Sequence, residues 1–498
     1  MTELLSDLFI FELANNHQGQ MDHAVRIIRA MGDIARRHRI HAGVKFQYRD
    51  LDTFVHPAYR ERTDVPHIPR FMGTRLDADT FRALVAEVHR EGLVSICTPF
   101  DEASVALCVE HGVQILKVAS CSADDWPLLE AVATTRKPVV ISTAGLSLRD
   151  IDALARFAEN RRLQHALLHC VGIYPTPAHL LNLGFIGRMA RRYPGVPVGY
   201  SGHEDPADTA VVRMAVAQGA RILERHVGIA VDGAPLNKYS LSPEQTDAWV
   251  AAALDARAIV GRDDRRDVTA DEKASLRSLK RGVFAAQAVA KGTTLTRDDV
   301  FFAMPCSDGQ TTSGDFGRHR AVFVASRDYA AGEAVHEPWT PDVISLTRDF
   351  IHEAQGMLHE AGITIGPDVE VELSHHRGIA NFRETGAIFI TVVNRDYCKK
   401  LGVLLPEQSH PTHQHHVKEE TFHMLWGDLE VVCDAQTIRM KPGDTLLVQP
   451  GTAHSFTTRR GAIFEEISTR SQRADSFYDD TRIQRLDPME RKTVLESW

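Results

Sequence analysis

Between residues 8 and 260 the chain repeats one unit eight times, a short apolar run followed by a longer stretch of helical periodicity. The runs are LFIFELA, AGVKFQY, LVSICTPF, QILKVAS, KPVVISTAG, HALLHCV, PVGYSGH and RILERHV. The segments that follow them, such as MDHAVRIIRAMGDIARR and PADTAVVRMAVAQG, read as amphipathic helices. Eight β/α units in about 250 residues are what a (β/α)8 TIM barrel requires. A doubly wound sheet is the competing arrangement, but no GxGxxG follows the first run. Glu12, Lys45, Gln47, Thr98, Lys117, Ser120, Ser142, Thr143, His169, Ser201, His203, Glu224 and His226 lie at the ends of these runs rather than in the helices. In a barrel the strand C-termini converge on one face, so groups far apart in sequence become one pocket.

At 498 residues the chain exceeds one compact core. Residues 262–275, RDDRRDVTADEKAS, read as a charged, solvated linker. Beyond it RGVFAAQAVAKGTTLTRDDVFFAMP opens a small β-rich module that reaches about residue 338, where PWTP breaks the pattern. DVISLTRDFIHEAQGMLHEAG then predicts an amphipathic helix with Val343, Leu346, Phe350, Ala354 and Met357 on one stripe. From residue 368 onward, closely spaced short strands predict a β-barrel or jelly roll. The expected architecture is multidomain, α/β followed by β, with domains at 1–262, 276–338 and 342–498.

A formal charge of −9 with no Lys/Arg-rich block argues against nucleic acid or an anionic membrane as partner and leaves small-molecule chemistry. Seven scattered cysteines without a CxxC pair point to reduced thiols and a cytoplasmic location. The N-terminal MTELLSDLFIFELANNHQG does not read as a signal peptide, and no run approaches the ~18 apolar residues of a membrane span.

Lys45 and Lys117 sit within apolar runs, where an unpaired ammonium is costly. Their partners are either barrel carboxylates or the phosphate or carboxylate of a substrate, with Ser142, Thr143 and Ser201 as hydroxyl donors. His203 and His226 each read as an ordinary satisfied histidine; on consecutive strand ends, they can also face one cation together. A second histidine group lies in HPTHQHHVKEETFHMLWGDLE, residues 410–430. His413 and His415 share a strand face, Glu420 follows, and PGDTLLVQPGTAH brings His454. Three imidazoles and a carboxylate suit Mn2+, Fe2+, Ni2+ or Zn2+. His410, His416 and His423 fall outside this spacing and read as surface or supporting residues.

LFIFELANNHQGQMDHAVRIIRAM, GVKFQYR, TPFDEASV, LKVASC, KPVVISTAGLS, LLHCVGIYPTP, VGYSGH and ERHV resemble, in order and spacing, the sialic acid synthase family, and the module to residue 338 is similar to that family's antifreeze-like (SAF) domain. The resemblance implies condensation of phosphoenolpyruvate with an open-chain aldose to a 2-keto-3-deoxy sugar acid and phosphate, assisted by Mn2+ or Mg2+. It implies His203 and His226 as metal ligands, and Lys45, Thr98, Lys117, Ser120, Ser142 and Ser201 as phosphoenolpyruvate contacts. Glu12 would orient water or act as base, and Gln47 and Tyr174 would border the sugar. Ser122, Gly172, Asn237 and Met304 depart from the family's usual Glu, Asn, acid and Arg, so the expected acceptor is an aldose lacking an N-acetyl group. Loss of the Arg also weakens the homodimer that the family implies, because that side chain normally completes a partner's site.

SHHRGIANFRETGAIFITVVNRDYCKKLGVLLP, the histidine motif, FEEISTR and DSFYDD resemble the sugar-isomerase branch of the cupins. That likeness implies aldose–ketose interconversion at His413, His415, Glu420 and His454, with Lys418, Glu419 and Glu465 as candidates for proton transfer or orientation. Two alternatives stand beside a two-site enzyme: a synthase whose cupin only binds sugar or aids assembly, and an aldolase-type lyase.

Overall fold

The computed structural model describes residues 3–231, 235–262, 268–318, 321–472 and 474–497. It divides into two compact units, Met1–Arg265 and Arg266–Trp498. In the first, β1 (Phe9–Glu12), β2 (Ala42–Tyr48), β3 (Val94–Pro99), β4 (Ile115–Val118), β5 (Val139–Ser142), β6 (His165–Cys170), β7 (Val198–Gly202) and β8 (Ile222–His226) close in sequence order into a parallel barrel. This is the predicted TIM barrel.

Side chains alternate along each strand, and the alternation decides where the chemistry sits. Ile10, Ile96, Ile115, Val140, Leu168 and Ile222 fill the barrel interior. Phe11, Val44, Phe46 and Leu116 face outward onto helices such as Met21–His38, which supplies Ile27, Ile28 and Met31. One repeat above the inner apolar layer, the same parity turns Glu12, Lys117, Ser142 and Glu224 inward. It turns His169 outward, where its Nε2 bonds the Leu181 carbonyl at 2.7 Å, so this residue does not belong to the pocket. Thr143 likewise caps a strand end, donating to the Leu168 carbonyl at 3.0 Å.

In the second unit, β9 (Gly282–Ala285), β10 (Thr294–Leu295), β11 (Val300–Ala303) and β12 (Phe323–Val324) pair as β9–β11 and β10–β12 around Val283, Val300, Phe323 and Tyr329. The segment read as a linker is not wholly irregular. Residues 263–267 lie outside the described residues, but Ala270–Ser278 is a helix whose first turn is capped by Thr269. The predicted helix forms over Val343–Glu360, capped by Asp342. Phe350, Ala354 and Met357 are buried, whereas Val343 in the first turn is 55% exposed and off the stripe.

The C-terminal strands are β13 (Glu370–Ser374), β14 (Ala387–Asn394), β15 (Tyr397–Leu404), β16 (Ser409–Gln414), β17 (Glu420–Gly427), β18 (Leu429–Cys433), β19 (Gln436–Met440), β20 (Thr445–Val448), β21 (His454–Thr457), β22 (Ala462–Thr469), β23 (Phe477–Tyr478) and β24 (Lys492–Leu495). They form an antiparallel sheet in the order β20-β17-β22-β15-β14-β13-β24 and another in the order β19-β18-β21-β16-β23. Phe422, Phe464, Val431 and Phe456 join the two sheets in one core, the expected cupin arrangement. All seven cysteines are free thiols, and among the described residues no helix is long and apolar enough to cross a membrane.

Gly43 lies one repeat below Lys45 on the inward face of β2, and a Cβ there would fall 2.6 Å from the Val94 carbonyl oxygen. Gly43→Val should therefore destabilise the barrel by about 1–3 kcal/mol, read as an earlier barrel transition in urea.

Candidate active site and metal centre

At the top of the barrel interior, Lys45 stands between two carboxylates, ion-paired with Glu12 and 3.2 Å from Glu224 Oε1. Glu224 also accepts a hydrogen bond from Ser201 Oγ at 2.8 Å and lies 3.9 Å from Lys117 Nζ. Lys117 donates to Ser142 Oγ at 2.5 Å. All six charged or hydroxyl members of this group are buried. Burial pushes the Glu224 carboxyl up, but the Lys117 and Lys45 ammonium groups outweigh it and hold it at about 2. Burial drives Glu12 above the usual carboxylate range, and lowers Lys117. Two lysines and two carboxylates thus share one buried group, with Glu224 the firmly ionised member.

His203 and His226 meet above this group, with ring centroids 5.3 Å apart; Tyr174 lies 4.1 Å from the first and Tyr239 5.1 Å from the second. Bonding of His203 Nδ1 to the Val171 carbonyl at 3.1 Å leaves Nε2 for the pocket. Burial lowers His203 to about 4 and His226 further, which keeps both imidazoles neutral, the form that ligates. Glu12 is the register partner of His226 across β1 and β8. Two facing imidazoles offer nitrogen donors to a divalent cation. Behind the pair, fully buried Arg225 ion-pairs with Glu204 and donates to the Glu204 carbonyl at 3.0 Å, fixing the turn that follows His203.

Other expected contacts divide. Thr98 Oγ1 is buried and has no partner, and Ser120 Oγ accepts the Ala144 N–H at 2.9 Å, tying two strand ends together. Gln47 accepts both Nη groups of Arg49 at 3.1 Å. Asn237 bonds Asn16 at 3.5 Å and the Tyr239 N–H at 3.2 Å; the side chain against the histidine pair is Tyr239 instead. Met304 is 56% exposed in the second unit.

In the cupin, His413, His415 and His454 bring ligand atoms within 4.8 Å of one another. Each Nδ1 is anchored to a backbone carbonyl, those of Pro411, Asp475 and Thr452 respectively, so each Nε2 is directed inward. Glu420 lies 3.4 Å from His415 Nε2 and 3.3 Å from His454 Nε2, and both Glu420 Oε2 and His454 Nε2 are buried without a hydrogen-bond partner. This donor set fits a transition-metal cation.

Parity also decides among the neighbouring acids and bases. Lys418, two residues before Glu420, points inward and bridges Glu420 and Glu466, the latter at 3.0 Å. Glu419 is exposed, and Glu465 pairs on the outer face with Lys399 at 2.6 Å and His423 at 3.1 Å. Neither meets the expectation of a pocket residue. Glu466, which the sequence reading passed over, faces inward with Phe464, and counting by twos along β22 identifies it. His410 is not a surface residue: it is buried, packs 4.7 Å from His413 and bonds His376 at 3.0 Å. His416 is exposed and stacks on Phe477. His410, His413, His415, Lys418, Glu420 and Glu466 line a cavity of about 160 Å³.

Asp475 holds the metal loop from behind, accepting the N–H groups of His416, Val417 and Lys418 at 2.8, 3.1 and 2.9 Å. Asp475→Ala should weaken metal binding about 10–100-fold while leaving three imidazoles in place, read by chelator competition. In the barrel, Glu224 is ionised below its ordinary value near 4.5, so its stabilisation is complete above that pH and lost as pH falls toward about 2. Glu224→Gln should cost about 3 kcal/mol or more at neutral pH and flatten this acid limb in denaturant titrations.

Residues 33–265 match the model of the NeuB family, and residues 401–464 match a cupin domain. Human N-acetylneuraminate-9-phosphate synthase is 27% identical over 295 residues, covering 58% of this chain and 80% of the human one. Pseudaminic acid synthase of Campylobacter jejuni is 27% identical over 259 residues, covering 50% of this chain and 71% of its own. A crystal structure from Chromobacterium violaceum, described as a spore coat polysaccharide biosynthesis protein E, is 45% identical with a TM-score of 0.64, and spans 67% of this chain and 99% of that one. With a crystallographic relative matched over nearly its whole length at this identity, and a barrel carrying the family's motifs, the chain belongs to the NeuB family and joins it to a cupin domain.

Proposed function

We propose that the barrel condenses phosphoenolpyruvate with an aldose to give a 2-keto-3-deoxy sugar acid and phosphate. The observation that carries this reading is the pair of buried lysines, Lys45 and Lys117, brought together at the strand ends beside Ser142 and Ser201, donors that suit the oxygens of a small, highly charged anion, and the synthase relatives support it. Lys117, with Ser142 as its nearest donor partner, and Lys45 would hold phosphate and carboxylate oxygens. C3 of phosphoenolpyruvate attacks the aldehyde carbon, water adds at C2, and phosphate departs as the C2–O bond breaks. Glu12, whose carboxyl burial raises while Glu224 is held low, would pass the proton. A divalent cation held by His203 and His226 would act as Lewis acid toward the aldehyde oxygen.

For the cupin, the reading is isomerisation of a ketose to the acceptor aldose. Its support is the inward Glu466 carboxylate beside Lys418, facing three histidines and Glu420: an acid–base pair next to a metal-competent cluster. Glu466 would move the proton between C1 and C2, and Lys418 would hold the developing oxyanion. A bound transition metal would polarise the adjacent oxygens. The domains 1–262, 276–338 and 342–498 are the functional modules of this scheme.

Incubation with phosphoenolpyruvate, Mn2+ and a panel of aldoses and ketoses should release phosphate. Lys117→Met should lower kcat/KM about 100-fold or more, the scale of losing a placed electrostatic group. Glu466→Gln should abolish phosphate release from the ketose while retaining it from the corresponding aldose. Equal release from both sugars in that variant would remove the isomerase.

A further inference from the structure

Buried tyrosine hydroxyls in this protein are bonded, with one exception. Tyr48 Oη pairs with His111 Nδ1 at 3.1 Å, and Tyr193, Tyr200 and Tyr329 donate to Asp152, Glu204 and Glu337 at 2.9, 2.8 and 2.7 Å. Tyr478 is the fifth buried tyrosine, 8% exposed. Its backbone N–H is held by Gln484 Oε1 at 2.7 Å, but among the described residues its hydroxyl has no hydrogen-bond partner. A buried phenol normally finds one, because leaving the bond unmade costs more than making it gains. The other side chains of the DSFYDD segment that carries Tyr478 have evident uses: Asp475 clamps the metal loop, and Phe477 stacks on His416.

The surroundings of this hydroxyl say what its missing partner is. Tyr478 on β23 is the register partner of His413 on β16, so both project from one face of the five-stranded sheet, and both line the cupin cavity. Their rings lie 5.4 Å apart with planes 21° from parallel. His376 packs 4.9 Å from the phenol ring, and the buried Arg491 guanidinium lies 4.7 Å over it, which fixes the side chain. Glu420 and Glu466 enter the same cavity from the seven-stranded sheet, bridged by Lys418. The space between the sheets thus has Lys418 and Glu466 on one side and an immobilised O–H donor on the other. A ligand with oxygens on successive carbons meets both sides, whereas one with a single polar end leaves one of them unsatisfied. We infer that Tyr478 is a ligand-contact residue of the cupin, donating its hydroxyl to an oxygen of a polyhydroxylated ligand on the side opposite Lys418 and Glu466. This rests on the reading of the cupin as a sugar site.

The test uses full-length, Mn2+-loaded wild type and Tyr478→Phe, a change that removes one oxygen and keeps the ring. Melting temperatures confirm folding, and chelator competition gives metal affinity. Calorimetry without phosphoenolpyruvate gives binding of D-fructose, D-xylulose, L-ribulose and D-sorbitol, and product analysis follows isomerisation of the three ketoses. Wild type should bind at least one of these compounds. Tyr478→Phe should weaken that binding about tenfold while metal affinity moves less than twofold. Equal binding by the two proteins would overturn the inference. So would a fall in metal affinity large enough to account for the lost sugar, because Tyr478 would then support His413 rather than touch the ligand. If sugars bind and none is isomerised, the isomerase reading fails separately and the binding comparison still decides the role of Tyr478. If the wild type binds none of the four, the sugar site and the role of Tyr478 both fall.

Discussion

The barrel depends on one arrangement that is unfavourable unless completed: two lysines, Lys45 and Lys117, buried with two carboxylates, Glu12 and Glu224, in one ion-paired group. Taking such charges out of water costs several kcal/mol per ion, and the partners inside must offset it. Glu12 pairs directly with Lys45, and burial raises its carboxyl. In the proposed condensation, a phosphate ester carrying a carboxylate would offer further anionic oxygens to the same two lysines. Arg225 with Glu204 stands on the other side of the strands as a fully paired counterpart, a buried charge used to brace a turn.

The cupin solves a related problem with neutral groups. Three buried imidazoles are oriented by carbonyls at Nδ1, so little rearrangement is needed to receive a cation. Asp475 does for the loop carrying His415 what Arg225 does for the turn carrying His203: it clamps backbone groups rather than touching substrate. Both sites place chemistry on strands and support it from a neighbouring segment, which limits how far a ligand can wander.

Most of this was readable from the sequence wherever periodicity carried the information. The barrel, the helix over Val343–Glu360 and the cluster of His413, His415, Glu420 and His454 follow from apolar spacing and strand alternation. The same alternation, counted one step further, selects Lys418 over Glu419 and Glu466 over Glu465. What sequence does not reveal is contact between distant segments. Asp475, Arg225 and Tyr239 act through partners that only the closed fold brings near, and the choice between a surface and a supporting place for His410 needed the fold, because a histidine outside a ligand spacing carries no mark of being buried. Asn237, inferred from a family position, bonds Asn16 and a backbone N–H rather than the histidine pair.

The most direct test of the account is the fate of the bridging oxygen of phosphoenolpyruvate. With that oxygen carried as 18O and an accepted aldose present, condensation through water addition at C2 and C–O cleavage predicts that all the label leaves in inorganic phosphate, beside a product three carbons longer than the aldose. Unlabelled phosphate, or a three-carbon extension with no phosphate released, would contradict it.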